Sequence, residues 1–449
     1  MLDLARPRRL HVVGIAGSGM SAIAEVLAAM GHRVSGSDTA ELPVLDRLRG
    51  LGVDVRVGFD AAHVAGADAL AVSTAWLEGN VEVEAARAMG VPVLRRADVL
   101  AAICATRRTI AVAGTHGKTT TSAMLATILD QAGRRPSFVV GGRLLGLDTG
   151  ARWDPEGEWL VVEADESDGT FLRLPAEVAV VTSVEPDHLE HWGGFEALKA
   201  AFDQFAGAAK KALVYGDDPA ASAIASHHRR PTYGFEARNI HRLSAFEAGG
   251  DGSRFTLGRT RVTVPVPGRH NALNAAAALL AAAVAGVGVP EGAAALARFG
   301  GVARRFDRRG ERDGVAYVDD YAHLPSEVAA ALEAARELGP TRVVCVFQPH
   351  RYSRTATLWR DFAGAFAGAD VLAVTEIYGA GEPARPGVTG KLVLDAALDG
   401  GFGGRAAWLP TRPALFAYLR RELRPGDLCL TLGAGDLTTL PDELLGAAP

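Results

Sequence analysis

One stretch, Gly114-Thr115-His116-Gly117-Lys118-Thr119-Thr120, limits what this chain can fold into more than any other. It lies between an apolar run, Thr109–Ala113, and a helix-forming stretch, Thr119–Ala132. An apolar run that turns on glycine directly into a helix reads as a strand feeding a crossover helix, the repeating unit of parallel α/β sheets. Glycines let backbone N–H groups approach phosphate oxygens, and the helix N-terminus adds positive potential there. Lysine is scarce, with only Lys118, Lys199, Lys210, Lys211 and Lys391 in the chain, yet one of the five closes this turn. Lys118 can supply a point charge to the β- and γ-phosphates, and the Thr119 hydroxyl can ligate Mg²⁺. The first glycine stands only three positions before the second, a shorter spacing than G-x-x-x-x-G-K-[ST].

The same alternation runs through the rest of the chain and predicts α/β architecture with largely parallel sheets. A first unit takes strands Arg9–Ile15, His32–Ser37, Ala69–Ser73 and Val91–Leu94, with a helix over Met20–Met30. A second adds strands Trp159–Glu163, Glu177–Ser183 and Ala212–Tyr215, a β-rich stretch Arg254–Val264, and a long helix from Asn271. The third carries strands Val315–Asp319, Arg342–Phe347, Val371–Glu376 and Asp427–Leu432, with helices Pro325–Glu337 and Thr357–Phe366. The expected domains are 1–106, 107–311 and 312–449, in keeping with a length of 449 residues. A net charge of −5 leaves no bulk basic field for nucleic acid or an anionic membrane. Cys104, Cys345 and Cys429 are far apart and read as buried small hydrophobes in a reducing compartment. Met1–Leu10 lacks the apolar core of a signal peptide, and Ala275–Val289 is too short to span a bilayer. A cytoplasmic protein without membrane insertion is expected.

Other motifs fall just after predicted strands, the end that faces the ligand crevice in a doubly wound sheet. Gly14-x-Ala16-Gly17-x-Gly19 follows the first strand, and Asp38 closes the second, as in a dinucleotide fingerprint. Two nucleotide-type turns suggest two phosphate-bearing ligands, and an NAD(P) site is one reading of the first. Glu163-Ala164-Asp165-Glu166-Ser167-Asp168 places four carboxylates after an apolar strand, a plausible pole for Mg²⁺. Glu185-Pro186-Asp187-His188 follows the next strand, and no clustering of His and Cys suggests zinc. Asp319-Asp320-Tyr321-Ala322-His323-Leu324-Pro325 and Gln348-Pro349-His350-Arg351-Tyr352-Ser353-Arg354 bring histidines and arginines to two more strand ends. Arginine forks bind carboxylate and phosphate bidentately, so the latter reads as an anion pocket.

Taken in this order, Gly14–Ser21, Ala113–Ser122, Glu163–Asp168, Pro267–Asn274, Asp319–Pro325 and Phe347–Arg354 resemble the Mur ligase family, in particular its alanine-adding branch. The resemblance covers about His11 to Leu440. It implies a Rossmann-like N-terminal domain for a UDP sugar, a central P-loop-type ATPase domain and a Rossmann-like C-terminal domain. It also implies that ATP converts the carboxylate of UDP-N-acetylmuramate to an acyl phosphate, which L-alanine then attacks, in peptidoglycan precursor synthesis. Carried over residue by residue, Gly14, Gly17, Ser18, Gly19, Met20, Asp38 and Ser73 would hold the UDP sugar. Gly114, Thr115, His116, Gly117, Lys118, Thr119, Thr120, His270, Asn271, Asn274 and Asp320 would hold ATP. Thr119, Glu163 and His188 would serve two Mg²⁺ ions, for which Mn²⁺ could substitute. Arg304 and Arg305 match a pair reaching toward phosphates, and Tyr321, His323, His350, Arg351 and Arg354 match the alanine side. Lys118, His188, Arg305 and His323 would be catalytic. Closure of the C-terminal domain is expected to exclude water, and the chain is expected as a monomer or weak homodimer. Leu324, Glu190 and Trp192 depart from the family pattern, and Phe202 stands where sister ligases carry a carbamylated lysine, Lys199 lying three residues earlier. A ligase recycling a preformed tripeptide and an NAD(P) oxidoreductase remain as alternatives.

Overall fold

Strands such as Ala69–Val72 and Val178–Val181 are apolar at every position and buried throughout. That pattern belongs to parallel sheets covered by helices on both faces. The computed structural model describes residues 2–73, 76–250 and 252–446, without the side chain of Glu190. The chain divides into two compact units. The first runs from the N-terminus to Ser244, with Thr256–Val262 and Leu273–Phe299; the second takes Ala245–Phe255, Thr263–Ala272 and everything from Gly300 on.

The first unit opens with strands β1 (Arg9–Val13), β2 (Arg33–Asp38), β3 (Asp54–Val57), β4 (Ala69–Val72) and β5 (Val93–Arg95). They pair in parallel in the order β3-β2-β1-β4-β5. Strand order reverses between β1 and β4, so a ligand crevice is expected at their C-terminal ends. The helix Ser18–Ala29 covers the sheet with Met20, Ile23, Val26 and Leu27, residues at helical spacing.

The same unit continues with β6 (Arg108–Ala113), β7 (Ser137–Leu144), β8 (Thr149–Arg152), β9 (Trp159–Glu163), β10 (Val178–Val181), β11 (Lys211–Tyr215) and β12 (Thr232–Gly234). Their order is β12-β11-β10-β6-β9-β7-β8, parallel except for the β7–β8 hairpin. The first residues of β13 (His241–Gly249) pair with β12. The stretch expected to be β-rich resolves into β14 (Gly252–Leu257) and β15 (Thr260–Val264). Central β6 lies between β9 and β10, so the Gly114 turn, Glu163 and the Ser183–His188 loop gather at one end of the sheet.

In the second unit β16 (Asp307–Arg312), β17 (Val315–Asp320), β18 (Arg342–Phe347), β19 (Val371–Val374), β20 (Arg405–Trp408) and β21 (Asp427–Leu432) form a sheet in the order β16-β17-β21-β18-β19-β20. Only the β16–β17 pair is antiparallel. The helix expected over Thr357–Phe366 is instead Tyr352–Leu358 followed by a 3₁₀ stretch, Trp359–Gly364. Phe362 and Phe366 still pack on Phe347, with ring centroids 5.2 and 5.4 Å away. The apolar side chains of this stretch thus still reach the core, while the tighter turn that seats them leaves no trace in their spacing.

Candidate active site

Two glycines shape the turn after β6. Gly114 has φ +140°, and a Cβ there would lie 2.0 Å from Thr182 Oγ1 and 2.8 Å from the Ser183 nitrogen. Gly117 has φ +79° and presses against Asn274, whose Oδ1 would be 2.3 Å from an added Cβ. Thr121 Oγ1 donates to that same Oδ1 at 3.2 Å. Side chains staple the turn to the loop after β10. His116 N–H donates to Ser183 Oγ at 2.9 Å, Glu185 N–H donates to Thr115 Oγ1 at 2.8 Å, and His116 Nε2 lies 3.2 Å from Glu185 Oε2. Between them they hold the backbone of residues 114–117 open at the N-terminus of the helix Lys118–Gln131, where anions are favoured.

Lys118 is anchored rather than dangling. Its ammonium donates to the carbonyls of Gly114 (2.7 Å) and Thr115 (3.3 Å) and to Glu166 Oε1 at 2.9 Å. Burial alone would lower the lysine, but Glu166, Asp165 and Glu163 outweigh it and raise its pKa. Glu166 is 2% exposed, and burial pushes its carboxyl up to about 7 against the pull of Lys118. Thr119 Oγ1 donates to Glu163 Oε1 at 3.1 Å, and Glu163 Oε2 accepts from Gly141 N–H at 2.7 Å. A hydroxyl and a carboxylate oxygen converging in this way are the hard donors a Mg²⁺ ion takes. His188 follows β10 in the left-handed region (φ 52°, ψ 32°), with Nε2 3.3 Å from Asp187 Oδ2. The indole of Trp192 donates to the Glu166 carbonyl at 3.0 Å, tying that loop to the acidic one. Phe202 is fully buried among Phe171 and Phe205, and Lys199 pairs with Glu196 at 2.5 Å.

The first glycine turn lines a cleft of about 650 Å³ at the C-terminal ends of β1 and β4, whose far wall is formed by Gly141, Glu163, Asp165, Ser167 and Asp168. Gly14, Gly17, Ser18, Gly19, Met20, Asp38 and Ser73 all border it. Asp38 is engaged within the turn, because Oδ2 accepts from Ala16 N–H at 2.8 Å and Oδ1 from Thr39 N–H at 2.7 Å. A carboxylate used this way buttresses a phosphate turn and is poorly placed to read a ribose, which weakens the NAD(P) reading. Arg96, Leu42 and Trp76 also border the cleft and escaped the sequence reading. Arg96 reaches to 3.4 Å from both Asp165 and Asp168, a contact spanning about seventy positions that no local pattern announces.

In the second unit Asp320 ends β17 and accepts from the N–H groups of Phe306 and Ala322, each at 2.7 Å. Burial raises its carboxyl to about 6, with Arg305 opposing. The guanidinium groups of Arg304 and Arg305 lie 5.0 and 4.9 Å from the Tyr321 ring centroid. They are not equivalent, since Arg304 also donates to the carbonyls of Gly433 (2.9 Å) and Gly435 (3.1 Å). His323 donates from Nδ1 to the Tyr321 carbonyl at 3.0 Å, and its ring centroid is 5.6 Å from that of His350. Arg354 Nη1 donates to His350 Nδ1 at 3.0 Å, and Arg351 opens the following helix at φ +67°. Of the H-N-x-x-N residues, Asn271 donates to the Pro267 carbonyl at 2.6 Å within this unit.

Burial, with help from His323, Arg354 and Arg351, lowers His350 to about 3. Its folded pKa lies below the usual 6.5, so the neutral ring favours folding above that pH, and the benefit is lost as pH falls toward 3. His350→Gln should therefore reduce the acid sensitivity of the second unit between pH 6.5 and 3. Denaturant midpoints taken across that window are the measurement, and an unchanged slope would remove His350 as its cause.

A Rossmann-type sheet, a glycine–lysine turn at the centre of a second parallel sheet and a third α/β sheet rich in arginine and histidine at its strand ends define a nucleotide-using α/β enzyme of several domains. Comparison with known proteins supplies the family. Models of the Mur ligase family catalytic domain, the Mur ligase middle domain and the Mur ligase glutamate ligase domain match residues 9–108, 112–282 and 304–435. The UDP-N-acetylmuramate–L-alanine ligase of Kineococcus radiotolerans is 48% identical, covering 98% of this chain and 96% of its own length. That of an Anaeromyxobacter species is 44% identical, covering 98% of each. The crystal structure of UDP-N-acetylmuramate–alanine ligase from Thermotoga maritima superposes with a TM-score of 0.82 at 28% identity, covering 98% of each chain. This chain belongs to the Mur ligase family.

Proposed function

We propose that the protein joins L-alanine to the carboxylate of UDP-N-acetylmuramate in peptidoglycan precursor synthesis. The observation that carries the reading is the run of relatives of that name at 42–48% identity over almost the whole chain. In the proposed reaction a carboxylate oxygen attacks the γ-phosphorus of ATP, and ADP leaves. The alanine nitrogen then attacks the acyl-phosphate carbon, inorganic phosphate leaves with the C–O bond electrons, and the amine gives up its proton.

Residues 1–106 would bind the UDP sugar, 107–311 ATP and 312–449 the amino acid. The cleft at Gly14–Gly19 would take the diphosphate, and the turn Gly114–Thr120 the ATP phosphates, with Lys118 against the β- and γ-phosphates. His270, Asn271, Asn274 and Asp320 would serve the rest of the nucleotide. Thr119, Glu163 and His188 would hold Mg²⁺, and the hydroxyl–carboxylate pair fits that role. When bound, the metal offsets negative charge where the ATP phosphates, the muramoyl carboxylate and the alanine carboxylate crowd together. Arg305 would face the transferring phosphoryl. Tyr321, His323, neutral His350, Arg351 and Arg354 would receive alanine, with a guanidinium gripping its carboxylate. No helix among the described residues is long and apolar enough to cross a membrane, in keeping with action in the cytoplasm.

Purified protein with Mg²⁺ and ATP should release ADP only when both UDP-N-acetylmuramate and L-alanine are present. Offering glycine, L-serine and a cell-wall tripeptide in competition tests the recycling alternative. Release driven by the tripeptide and not by alanine would sink the reading.

A further inference from the structure

Beneath the first glycine turn, three residues from distant parts of the chain meet in the interior. His11 is on β1, His63 is in the 3₁₀ turn Ala61–Val64, and Glu82 is in the first turn of the helix Val81–Ala88. His11 and Glu82 are 1% and 0% exposed, and the His63 side chain is 13% exposed. One ligand atom from each, a ring nitrogen from the histidines and a carboxylate oxygen from Glu82, lie within 4.8 Å of one another. We propose that His11, His63 and Glu82 form a structural site for a divalent transition metal of the zinc class.

The interior position of His11 Nε2 is what calls for a cation. His11 Nδ1 lies 2.9 Å from Ser35 Oγ, so Nε2 is turned toward Glu82 Oε2 at 3.3 Å, an ion-pair distance with ring geometry poor for a hydrogen bond. If Nδ1–H donates to Ser35, Nε2 presents a bare lone pair to a carboxylate, and two acceptors face each other in the core. Buried polar atoms in this condition are uncommon and ask for a missing partner. Two imidazoles and one carboxylate are a zinc ligand set, and the Ser35 hydroxyl on the opposite ring nitrogen gives the orienting contact such ligands use. Ligand bonds of about 2.0–2.2 Å in a tetrahedron separate the donor atoms by roughly 3.3–3.6 Å, which the His11–Glu82 distance already matches. His63 Nδ1 sits 2.7 Å from Glu82 Oε1, and its partly exposed ring can shift to complete a third position, leaving the fourth to water.

The site would act on the glycine turn from below, without touching substrate. Ser37 Oγ donates to Glu82 Oε2 at 2.5 Å, while the Ser37 carbonyl accepts from Gly14 and Ile15 N–H at 2.9 and 3.1 Å. Asp60 N–H donates to Glu82 Oε1 at 3.2 Å. A metal on Glu82 would thus fix the strand end that shapes the diphosphate turn. A second trio, Asp203, His227 and His228, lies at the surface with the His227 side chain 68% exposed, and it serves as the internal control.

The test uses the full chain stripped with a chelator and titrated with Co²⁺, then with Zn²⁺ in competition. The expected result is one equivalent of Co²⁺ with the visible absorption of a four-coordinate ion, displaced by Zn²⁺, and an unfolding midpoint raised by several degrees. His63→Ala, at a partly exposed turn, should abolish the uptake, and His227→Ala should leave it intact. Should His63→Ala fail to fold, X-ray absorption of the zinc-loaded wild type should show two imidazole ligands and at least one oxygen. Absence of stoichiometric uptake by the wild type would overturn the site, as would uptake that survives His63→Ala or disappears in His227→Ala.

Discussion

Lys118→Ala is expected to reduce ADP formation by about 10³-fold while leaving UDP affinity within about twofold, since removing one preorganised donor at a developing charge costs about 10²–10³ and the phosphoryl lysine carries a full charge. Lys118 does not line the cleft at the first glycine turn, although Glu163 and Asp165 do, so the proposed UDP site should be largely spared. The side effect to control is the fate of Glu166. With Lys118 gone, a 2% exposed carboxylate loses its ion pair, and breaking a buried pair from one side typically costs about 3–5 kcal/mol. Burial already lifts this carboxyl to about 7, and without the lysine it rises further, so Glu166 becomes protonated at neutral pH and the loss is smaller. Lys118→Ala combined with Glu166→Gln removes the orphaned acid and should regain stability without regaining turnover. Titration calorimetry with UDP and a coupled ADP assay separate the two effects. If the single variant keeps a tenth of wild-type turnover, the phosphate role proposed for Lys118 fails.

The features legible in the sequence are those written locally. Strands Trp159–Glu163, Arg342–Phe347 and Asp427–Leu432 and the helix Pro325–Glu337 occur with the bounds that periodicity and Pro325 indicate. Both glycine turns follow strands and open helices, because a tight turn needs its glycines within a few positions. Interactions between distant segments left no such trace. Glu166 grips Lys118 across 48 positions, and Arg96 reaches Asp165 across 69. The His11–His63–Glu82 meeting spans three elements, so a sequence without visible His and Cys clustering still assembles two imidazoles on a carboxylate. The helix Arg96–Cys104 and the hairpin β7–β8 were also absent from the sequence reading. Cys104, Cys345 and Cys429 are buried free thiols, as their wide spacing suggested.

Gly114→Ala is expected to be strongly destabilising, and its comparison with Gly117→Ala shows why. At Gly114 the backbone sits at φ +140°, a region nearly closed to residues with a Cβ, and strain of that kind costs about 1–3 kcal/mol. The added methyl would also meet Thr182 Oγ1 at 2.0 Å and the backbone nitrogens of Thr182 and Ser183 at 2.9 and 2.8 Å. Thr182 cannot simply rotate away at no cost, because its hydroxyl donates to the His116 and Ala113 carbonyls. The backbone nitrogens cannot move without disturbing β10 beside β6, and overpacking of this sort adds about 1–3 kcal/mol. The sum, about 2–6 kcal/mol, is a large fraction of the stability of a typical domain. At Gly117 the contact is with a side chain, Asn274, and φ +79° is a conformation other residues reach at about 1–2 kcal/mol. Gly117→Ala should therefore fold nearly normally but displace Asn274 from Thr121 and weaken ATP binding about tenfold. Urea midpoints and ATP titrations on both variants decide it. Equal stability losses would mean that the turn relaxes freely, and the rigid cradle inferred for residues 114–117 would then be wrong.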